Sequence, residues 1–348
     1  MEITSLAYIA VTSLVITLLL IPVAMKVATM VNAVDEPDAR KVHDRKIPRL
    51  GGLAIALSFL IASLIFIEYS SILWALLAGF CIVLVTGLID DIWQIIPVVK
   101  FTGEILGSLV FLLLAGVAIS SFGDLVGTGP LTTGRYAIPV SVFCMVGVIN
   151  AVNMADGLDG LAGGISVIGC IFLAVFAWLS GQYVYLTISI ALLGSVAGFL
   201  YFNYYPARTF MGDTGSLVLG YLLSAVCILL VQDHTLSNKV LPISMASVLG
   251  LPIVDAMLVM AVRMLHGKNP FSADNTHLHH RIMKLGFNHQ QTVLIIYAAM
   301  LSCGLLAVLM RSLPETIQFS IGTIYATMLF GSVYVLQYAG FKIKSSGN

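Results

Sequence analysis

Long apolar segments separated by short polar breaks run along almost the whole chain. A membrane-spanning helix needs about 20 mostly apolar residues, and each segment comes near that length. The pattern predicts an all-α polytopic membrane protein with about eleven transmembrane helices, forming one domain over residues 1–348. The predicted spans are 4–31, 50–67, 71–89, 101–121, 138–152, 161–179, 183–201, 215–231, 240–263, 292–311 and 317–337.

The first span, 4–31, has to be distinguished from a signal peptide. No basic segment precedes its apolar run, and the run is longer than that of a signal peptide. We therefore expect this segment to be a transmembrane helix.

The composition excludes a soluble protein. Hydrophobic residues make up 59% of the chain and charged residues 10%, and the mean hydropathy is +1.01, whereas about a quarter of the residues in soluble proteins are charged. The five cysteines occur singly inside predicted spans, so neither a disulfide framework nor a thiolate metal site is indicated. The expected environment is the lipid bilayer, and no nucleic-acid partner is expected.

The Lys and Arg residues are divided unevenly between the two sides of the predicted bundle. If the first span runs from outside to inside, 14 of the 17 Lys and Arg residues lie on the cytoplasmic side. Because cytoplasmic loops are enriched in these residues, we predict an external N-terminus. The external loop 122–137 contains Gly, Thr and Pro, which predict turns or a short hairpin.

Five polar clusters fall on this cytoplasmic side. They are defined by composition, whereas the orientation is defined by Lys and Arg, so two independent observations agree. The agreement predicts cytoplasmic active-site loops that form a single anion-and-metal site. The clusters are 40–52, 90–91, 150–164 (here called the central segment), 203–216 and 275–281.

The central segment carries four oxygen-bearing side chains at a spacing of three residues. Neighbouring members share one helical face until Gly157 and Gly160 loosen the helix. The alternative is a hydrogen-bonded helix terminus, but four such side chains exceed what capping requires. The four are Asn150, Asn153, Asp156 and Asp159.

Asp90 and Asp91 end the third span, and Lys100 begins the fourth. One interpretation is a solvated helix end, with Lys100 pairing with Glu104 one turn along the same helix. The other is a magnesium phosphate site, since carboxylate oxygens suit Mg²⁺ and an ammonium offsets phosphate charge.

The first inner loop, 35–52, mixes both charge signs and ends in Pro-X-X-Gly-Gly. It is interpreted as an anchor to anionic lipid headgroups or as a basic lip that attracts an anionic substrate, and the two are compatible.

Two further acids are candidates: Asp213 precedes the eighth span, and Asp255 lies within the ninth. The motif Gly-Asp-Thr-Gly-Ser, residues 212–216, resembles a helix N-terminus that holds phosphate, with Asp213 as a metal ligand. Asp255 lies inside the ninth span, where an acid is a functional candidate by default, but the sequence indicates no partner for it.

The cytoplasmic histidine loop, 264–291, contains five of the seven histidines. Histidine clusters often bind zinc. Because they lie beside Arg281, Lys268 and Lys284, these histidines are better interpreted as hydrogen-bond donors to phosphate, and their charge is expected to respond to pH near neutrality.

Five motifs occur in order along the chain: Pro48-Arg49-Leu50-Gly51-Gly52, Asp90-Asp91, Asn153-X-X-Asp156-Gly157-X-Asp159-Gly160, Phe210-Met211-Gly212-Asp213-Thr214-Gly215-Ser216 and His277-Leu278-His279-His280. Taken together, these motifs resemble those of the polyprenyl-phosphate N-acetylhexosamine-1-phosphate transferases. His-Leu-His-His and Pro-Arg-Leu-Gly-Gly favour the bacterial undecaprenyl-phosphate GlcNAc-1-phosphate branch over the phospho-MurNAc-pentapeptide transferases, which typically have three consecutive histidines and Pro-Thr-Met-Gly-Gly.

The resemblance implies transfer of GlcNAc-1-phosphate from UDP-GlcNAc to undecaprenyl phosphate, with release of UMP and with Mg²⁺, or Mn²⁺, as cofactor. This would be the first membrane step of a cell-envelope glycan of the O-antigen, common-antigen or teichoic acid type, in the bacterial cytoplasmic membrane. UDP-MurNAc-pentapeptide is the alternative donor, and family members suggest a homodimer. A transporter would carry its polar residues near the bilayer midplane rather than at one face.

The resemblance also implies residue roles. Metal ligands are Asp213 and Asn153, and the catalytic group comprises Asp90, Asp91, Asp156, Asp159 and His279. Asn203, Phe210 and Asp159 are expected to lie around the uridine, and the histidine loop over the sugar phosphate. The substrate-binding group comprises Lys46, Arg49, Lys100, Asn203, Phe210, His277, His280 and Arg281.

Overall fold

A computed structural model describes residues 3–35, 46–232, 240–267 and 276–345. Most of the first inner loop (36–45) and part of the histidine loop (268–275), including Lys268, lie outside the described residues.

The described residues form thirteen α-helices, one short 3₁₀ helix (Gly134–Tyr136) and one two-stranded sheet. The helices are α1 (Ile3–Met30), α2 (Gly51–Phe66), α3 (Ser71–Trp93), α4 (Pro97–Ala115), α5 (Ala137–Ala155), α6 (Leu161–Leu179), α7 (Tyr183–Asn203), α8 (Gly212–Gln232), α9 (Pro242–Val248), α10 (Gly250–Leu265), α11 (Leu278–Lys284), α12 (His289–Met310) and α13 (Glu315–Ser345).

Every predicted span overlaps at least one of these helices, so the all-α polytopic architecture is confirmed. Within the described ranges, nine helices are long and apolar enough to cross a membrane, or ten if one bent pair is a single span. Helix α2 is apolar but has only 16 residues.

The predicted ninth span, 240–263, is not one straight helix. It is divided into α9 and α10, which meet at Leu249 with a bend of 81°. Proline has no N–H, so Pro252 cannot donate to the Val248 carbonyl one turn earlier, and a continuous helix is disfavoured there.

Helix α8 is the centre of the bundle, and α13 lies at its edge. In the most apolar window of each helix, 94% of the α8 residues are buried against 6% of the α13 residues. Helix α2 crosses α8 so closely that a Cβ added to Gly52 would overlap the backbone of Gly215. This close approach brings the N-termini of the two helices together.

Helix ends coincide with the polar breaks of the sequence. The Ser70 hydroxyl accepts a hydrogen bond from the Leu73 N–H (3.2 Å) at the start of α3. Asn288 and Gln291 form a capping box at the start of α12. These caps satisfy N–H groups that have no partner inside the helix.

Two short elements connect helices outside the bundle. An antiparallel strand pair, β1 (Val34–Asp35) and β2 (Ile47–Pro48), joins the two described ends of the first inner loop, which the sequence did not predict. In the loop 122–137, the backbones of Phe122 and Leu131 are hydrogen bonded (3.0 Å), forming a short hairpin.

Candidate active site

The candidate site begins where the end of α3 meets the start of α8. Asp91 is 4% exposed. Its carboxylate accepts hydrogen bonds from the Asp213 N–H (2.8 Å), the Thr214 N–H (2.8 Å) and the Thr214 hydroxyl (2.6 Å). The carboxylate therefore occupies the anion-binding N-terminus of α8, which the sequence predicted as a phosphate site. These contacts favour a positioning role for Asp91 over the predicted catalytic role.

Gly212 permits this contact. Its φ of 65° lies in the left-handed region, and a Cβ there would lie 2.5 Å from either carboxylate oxygen of Asp91. A side chain at position 212 would therefore separate α3 from α8.

A charged cluster lies immediately beside this junction. The Lys100 Nζ is 2.5 Å from Asp213 Oδ1 and 3.1 Å from Asp90 Oδ2. The Asn153 amide donates to Asp213 Oδ1 (2.6 Å) and to the Ser216 hydroxyl (2.8 Å). Helices α3, α4, α5 and α8 thus each contribute a polar side chain to one point, as the sequence predicted for Asp90, Lys100, Asn153 and Asp213.

Lys100 does not have the partner that local spacing offered. Glu104 is fully buried one turn along α4, and its carboxylate accepts from the Asn150 amide (2.5 Å). The Lys100 ammonium is instead engaged by Asp90 and Asp213, because two carboxylates attract it more strongly than one. Asn150 therefore packs behind the cluster and joins α5 to α4.

The loop after α7 is hydrogen bonded to the central segment. Asn203 is 2% exposed; its side-chain oxygen accepts from the Gly160 N–H (3.0 Å) and its amide donates to the Thr209 carbonyl (2.9 Å). Asp159 Oδ2 accepts from the Ala207 N–H (2.9 Å). These bonds bring together the residues expected around the uridine.

Asp156 ends α5 beside the cluster. Desolvation by burial and the negative charge of Asp213 raise the pKa of Asp156 from 3.8 to about 7, although Arg49 opposes them. The Asp156 carboxyl group can therefore gain or lose a proton near neutral pH, which suits an acid–base group.

The segment that opens α2 pairs with the segment that opens α8. The Gly51 N–H donates to the Phe210 carbonyl (2.9 Å), and the Phe210 N–H donates to the Pro48 carbonyl (2.8 Å). The Arg49 guanidinium lies 3.7 Å from Asp213 and 3.9 Å from Asp91. Arg49 therefore belongs to the charged cluster, whereas Lys46 is exposed at the edge of this pairing.

The histidine motif, residues 277–280, covers the central segment. His279 is buried, and a Cβ added to Gly157 would lie 2.6 Å from its Nε2. The His280 ring packs on His279 with 4.2 Å between ring centroids. Burial first, and then the neighbouring His280, His277 and His289, lower the pKa of His279 from 6.5 to about 3. The expectation that histidine charge responds to pH near neutrality is thus wrong for His279.

Arg281 points away from this cluster. Its Nε donates to the Thr276 carbonyl (2.7 Å), and its guanidinium carbon lies 4.2 Å from the centre of the Tyr334 ring on α13. Arg281, which the sequence analysis placed in the substrate-binding group, therefore contacts the outer helix α13 in the described structure.

The donor set at the cluster fits magnesium bound with substrate. Among the described residues, no group of three or more His, Cys, Asp or Glu side chains is arranged to hold a metal. Mg²⁺ in phosphate-transfer sites, however, takes one or two carboxylates together with water and substrate phosphates. Asp213 and Asp90, on either side of the Lys100 ammonium and with Asn153 adjacent, supply such oxygens.

Known proteins resemble this chain over most of its length. The sequence model of the family described as Glycosyl transferase family 4 matches residues 73–231. A Bacillus subtilis (strain 168) protein named "Probable undecaprenyl-phosphate N-acetylglucosaminyl 1-phosphate transferase" is 38% identical over 323 residues, which cover 91% of this chain and 88% of that protein. The chain belongs to the polyprenyl-phosphate N-acetylhexosamine-1-phosphate transferase family.

Two other relatives are also similar to this chain over most of its length. The "Decaprenyl-phosphate N-acetylglucosaminephosphotransferase" of Mycobacterium leprae (strain TN) is 32% identical over 84% of this chain and 80% of its own length. The "Undecaprenyl-phosphate alpha-N-acetylglucosaminyl 1-phosphate transferase" of Escherichia coli (strain K12) is 31% identical over 84% of this chain and 81% of its own. The family inferred from the five motifs is therefore confirmed.

Membership in this family makes the chain a multi-pass membrane transferase. The matched region, 73–231, runs from α3 to α8 and contains the central segment and every residue of the charged cluster except Arg49. Sequence reasoning did not identify the Thr214 and Ser216 hydroxyls as site contacts, although both lie in the motif that it singled out.

Proposed function

We propose that this protein transfers GlcNAc-1-phosphate from UDP-GlcNAc to undecaprenyl phosphate, giving undecaprenyl-diphosphate-GlcNAc and UMP. The observation that carries the proposal is the convergence of Asp90, Lys100, Asn153 and Asp213 from four helices at one end of the bundle. The names of the relatives state the same acceptor class and the same sugar.

The two substrates are anions, so the site has to reduce their repulsion. Two unit charges 4 Å apart repel by about 4 kcal/mol at an effective dielectric constant of 20. Asp213 and Asn153 would hold Mg²⁺ (or Mn²⁺), which would supply positive charge to the diphosphate. Lys100 and Arg49 lie against Asp213 and add cationic donors at the same point.

The acceptor phosphate is itself a nucleophile. The second pKa of a phosphate is about 6, so the acceptor is mostly dianionic at neutral pH. One of its oxygens forms a bond to the sugar-bearing phosphorus, and the bond from that phosphorus to the bridging oxygen breaks, so that UMP leaves with the electron pair.

Direct displacement is favoured over a phospho-aspartate intermediate. Asp91 accepts three hydrogen bonds from α8, and Asp90 is engaged by Lys100 and by the Ile95 N–H (3.0 Å). A carboxylate held in this way is a weaker nucleophile than the free phosphate acceptor.

The uridine and the sugar phosphate of UDP-GlcNAc are assigned to two different sets of residues beside the charged cluster. Asn203, Asp159 and Phe210 would surround the uridine, with exposed Lys46 at the edge of that pocket. The histidine motif, which covers Gly157, would lie over the sugar phosphate.

The proposed setting is the bacterial cytoplasmic membrane, with a homodimer as the assembly. We assign α2 and the α9–α10 pair as crossings, which makes eleven with the nine longer helices of the described ranges. The N-terminus is then external, and the charged cluster faces the cytoplasm, where UDP-sugars are found.

The test is UMP release by detergent-purified protein supplied with Mg²⁺ and undecaprenyl phosphate. UDP-GlcNAc is the donor in one reaction and UDP-MurNAc-pentapeptide in the other, and a third reaction omits the acceptor. We expect UMP only with UDP-GlcNAc and acceptor together.

UMP release with UDP-MurNAc-pentapeptide but not with UDP-GlcNAc would assign the chain to the other branch of the family. Exchange of labelled UMP into UDP-GlcNAc without acceptor would contradict direct displacement. No release with either donor would overturn the proposed reaction.

A further inference from the structure

None of the residue roles described above involves Asp255, yet its carboxylate is engaged on both oxygens. Oδ2 lies 3.0 Å from Nδ1 of His277, and Oδ1 accepts a hydrogen bond from the Leu278 N–H (2.9 Å). One side chain on α10 therefore holds both the ring of the first motif histidine and the backbone of the residue after it.

These contacts determine where α11 begins. His277 precedes the helix with extended backbone angles (φ −60°, ψ 155°), and its own side chain makes no capping hydrogen bond. Asp255 supplies that acceptor from a different helix. The direction of α11, and with it the positions of His279 and His280, is therefore set from α10.

The same contact selects one tautomer of His277. An ionised carboxylate can only accept hydrogen bonds, so His277 has to carry a proton on Nδ1. Nε2 is then the ring nitrogen that remains for another partner. Carboxylates orient functional histidines in metal and acid–base sites in the same way.

The oriented ring is the first of a series of packed rings. His277 and His279 are stacked, with 5.8 Å between centroids and an interplanar angle of 5°. His279 in turn packs on Gly157 of the central segment. A rotated His277 would therefore displace the ring that contacts the central segment.

We propose that Asp255 is a positioning residue for the phosphoryl transfer, which holds His277 in its Nδ1-protonated form and thereby keeps the histidine motif against the central segment. The inference rests on the proposed function for its kinetic consequence, but its structural part does not.

A double-mutant cycle tests the kinetic consequence. UMP release is measured for Asp255→Asn, His277→Ala and the double variant, with Asp124→Asn as a matched control, because the Asp124 side chain accepts from the Gly127 N–H (2.7 Å) far from the site. We expect each single change at Asp255 or His277 to lower the rate by about 10- to 100-fold, as for other residues that orient histidines. The double variant should be no slower than the slower single variant, within about threefold.

Multiplicative losses in the double variant would show that Asp255 acts independently of His277 and would overturn the inference. A folded Asp255→Asn protein with the wild-type rate would do the same.

The tautomer is tested without any activity measurement. In ¹⁵N-histidine-labelled protein, the His277 resonance is identified by its loss in His277→Ala. We expect a proton on Nδ1 in the wild type and a shift of that proton to Nε2 in Asp255→Asn, whose amide can donate to Nδ1. A wild-type His277 without a proton on Nδ1 would overturn the inference, even if the wild type releases no UMP and the proposed function has failed.

Discussion

The Asp213 carboxylate is the point at which Lys100, Arg49 and Asn153 meet. We predict that Asp213→Asn lowers UMP release by at least about 100-fold, the size of loss expected when one preorganised electrostatic group is removed from an active site. The measurement is the initial rate over a range of Mg²⁺ concentrations, with Asp124→Asn as control.

Normal activity of Asp213→Asn at limiting Mg²⁺ would remove Asp213 from the proposed metal site. The control should keep the wild-type rate, since Asp124 lies in the hairpin loop after α4.

His279 is buried as a neutral imidazole, with a pKa lowered to about 3. Because the unfolded chain binds this proton with a pKa of about 6.5, the unfolded state takes up more protons between these two values. The contribution of His279 to stability is therefore complete above pH 6.5 and is lost as the pH falls toward 3.

We predict that lowering the pH from 7 to 5 destabilises the wild type more than His279→Asn, by on the order of 1 to 2 kcal/mol. Asp156 has the opposite effect, since its raised pKa adds stability as the pH falls below about 7. The variant comparison removes that effect because Asp156 is present in both proteins. Equal pH dependence of the two melting temperatures would contradict the buried neutral state.

Candidate site residues that the structure brings together could be selected from the sequence when their chemistry was local to a motif. Asp213, Asn153 and Lys100 are examples, because oxygen and ammonium groups at a predicted helix end indicate a phosphate site without knowledge of packing. Asp255 was recognised only as a lone acid, since its partner, His277, is brought to it by the folding of α10 and α11.

At the level of helices, the Asp91 carboxylate joins the end of α3 to the start of α8. We predict that Asp91→Asn lowers the free energy of unfolding by about 1 to 3 kcal/mol, because an amide cannot accept all three hydrogen bonds and leaves a buried donor unsatisfied. Thermal unfolding in detergent measures this loss, with Asp124→Asn as the control that keeps the wild-type melting temperature.

An unchanged melting temperature in Asp91→Asn would contradict the structural role of this carboxylate. The sequence predicted both helices but assigned the start of α8 to a phosphate ligand. It could not reveal that an acid 122 residues earlier fills that position.

The bend between α9 and α10 is a second feature of helices that apolar patterning did not reveal. The segment 240–263 has the length and hydropathy of one span, and only the 81° angle shows that its two parts diverge. Pro252 was the local signal, but a proline inside a membrane helix is often tolerated, so it does not determine the bend by itself.

For the whole molecule, the orientation in the membrane is open to a direct test. We predict that a cysteine at Thr128, in the hairpin loop, reacts with a membrane-impermeant maleimide in intact cells. A cysteine at Gln290, exposed at the start of α12, should react only after permeabilisation. The native protein, with its five cysteines in helices, provides the background.

The reverse labelling pattern would place the charged cluster outside the cell, away from UDP-sugars, and would contradict both the orientation and the proposed donor.

Apolar length and basic-residue distribution are local properties, and the bilayer acts on them directly, because every span has to bury its own backbone hydrogen bonds within one membrane thickness. The approximate positions of the nine long apolar helices in the described ranges, and the chemical character of the polar clusters, therefore followed from the amino-acid sequence alone. The choice of partners did not. Lys100 pairs with Asp213, which is 113 residues away in the sequence, rather than with Glu104 on its own helix. The Asp91 carboxylate, rather than a ligand, binds the N-terminus of α8. These pairings depend on which helix ends are packed together, and that arrangement is decided by contacts across the whole bundle.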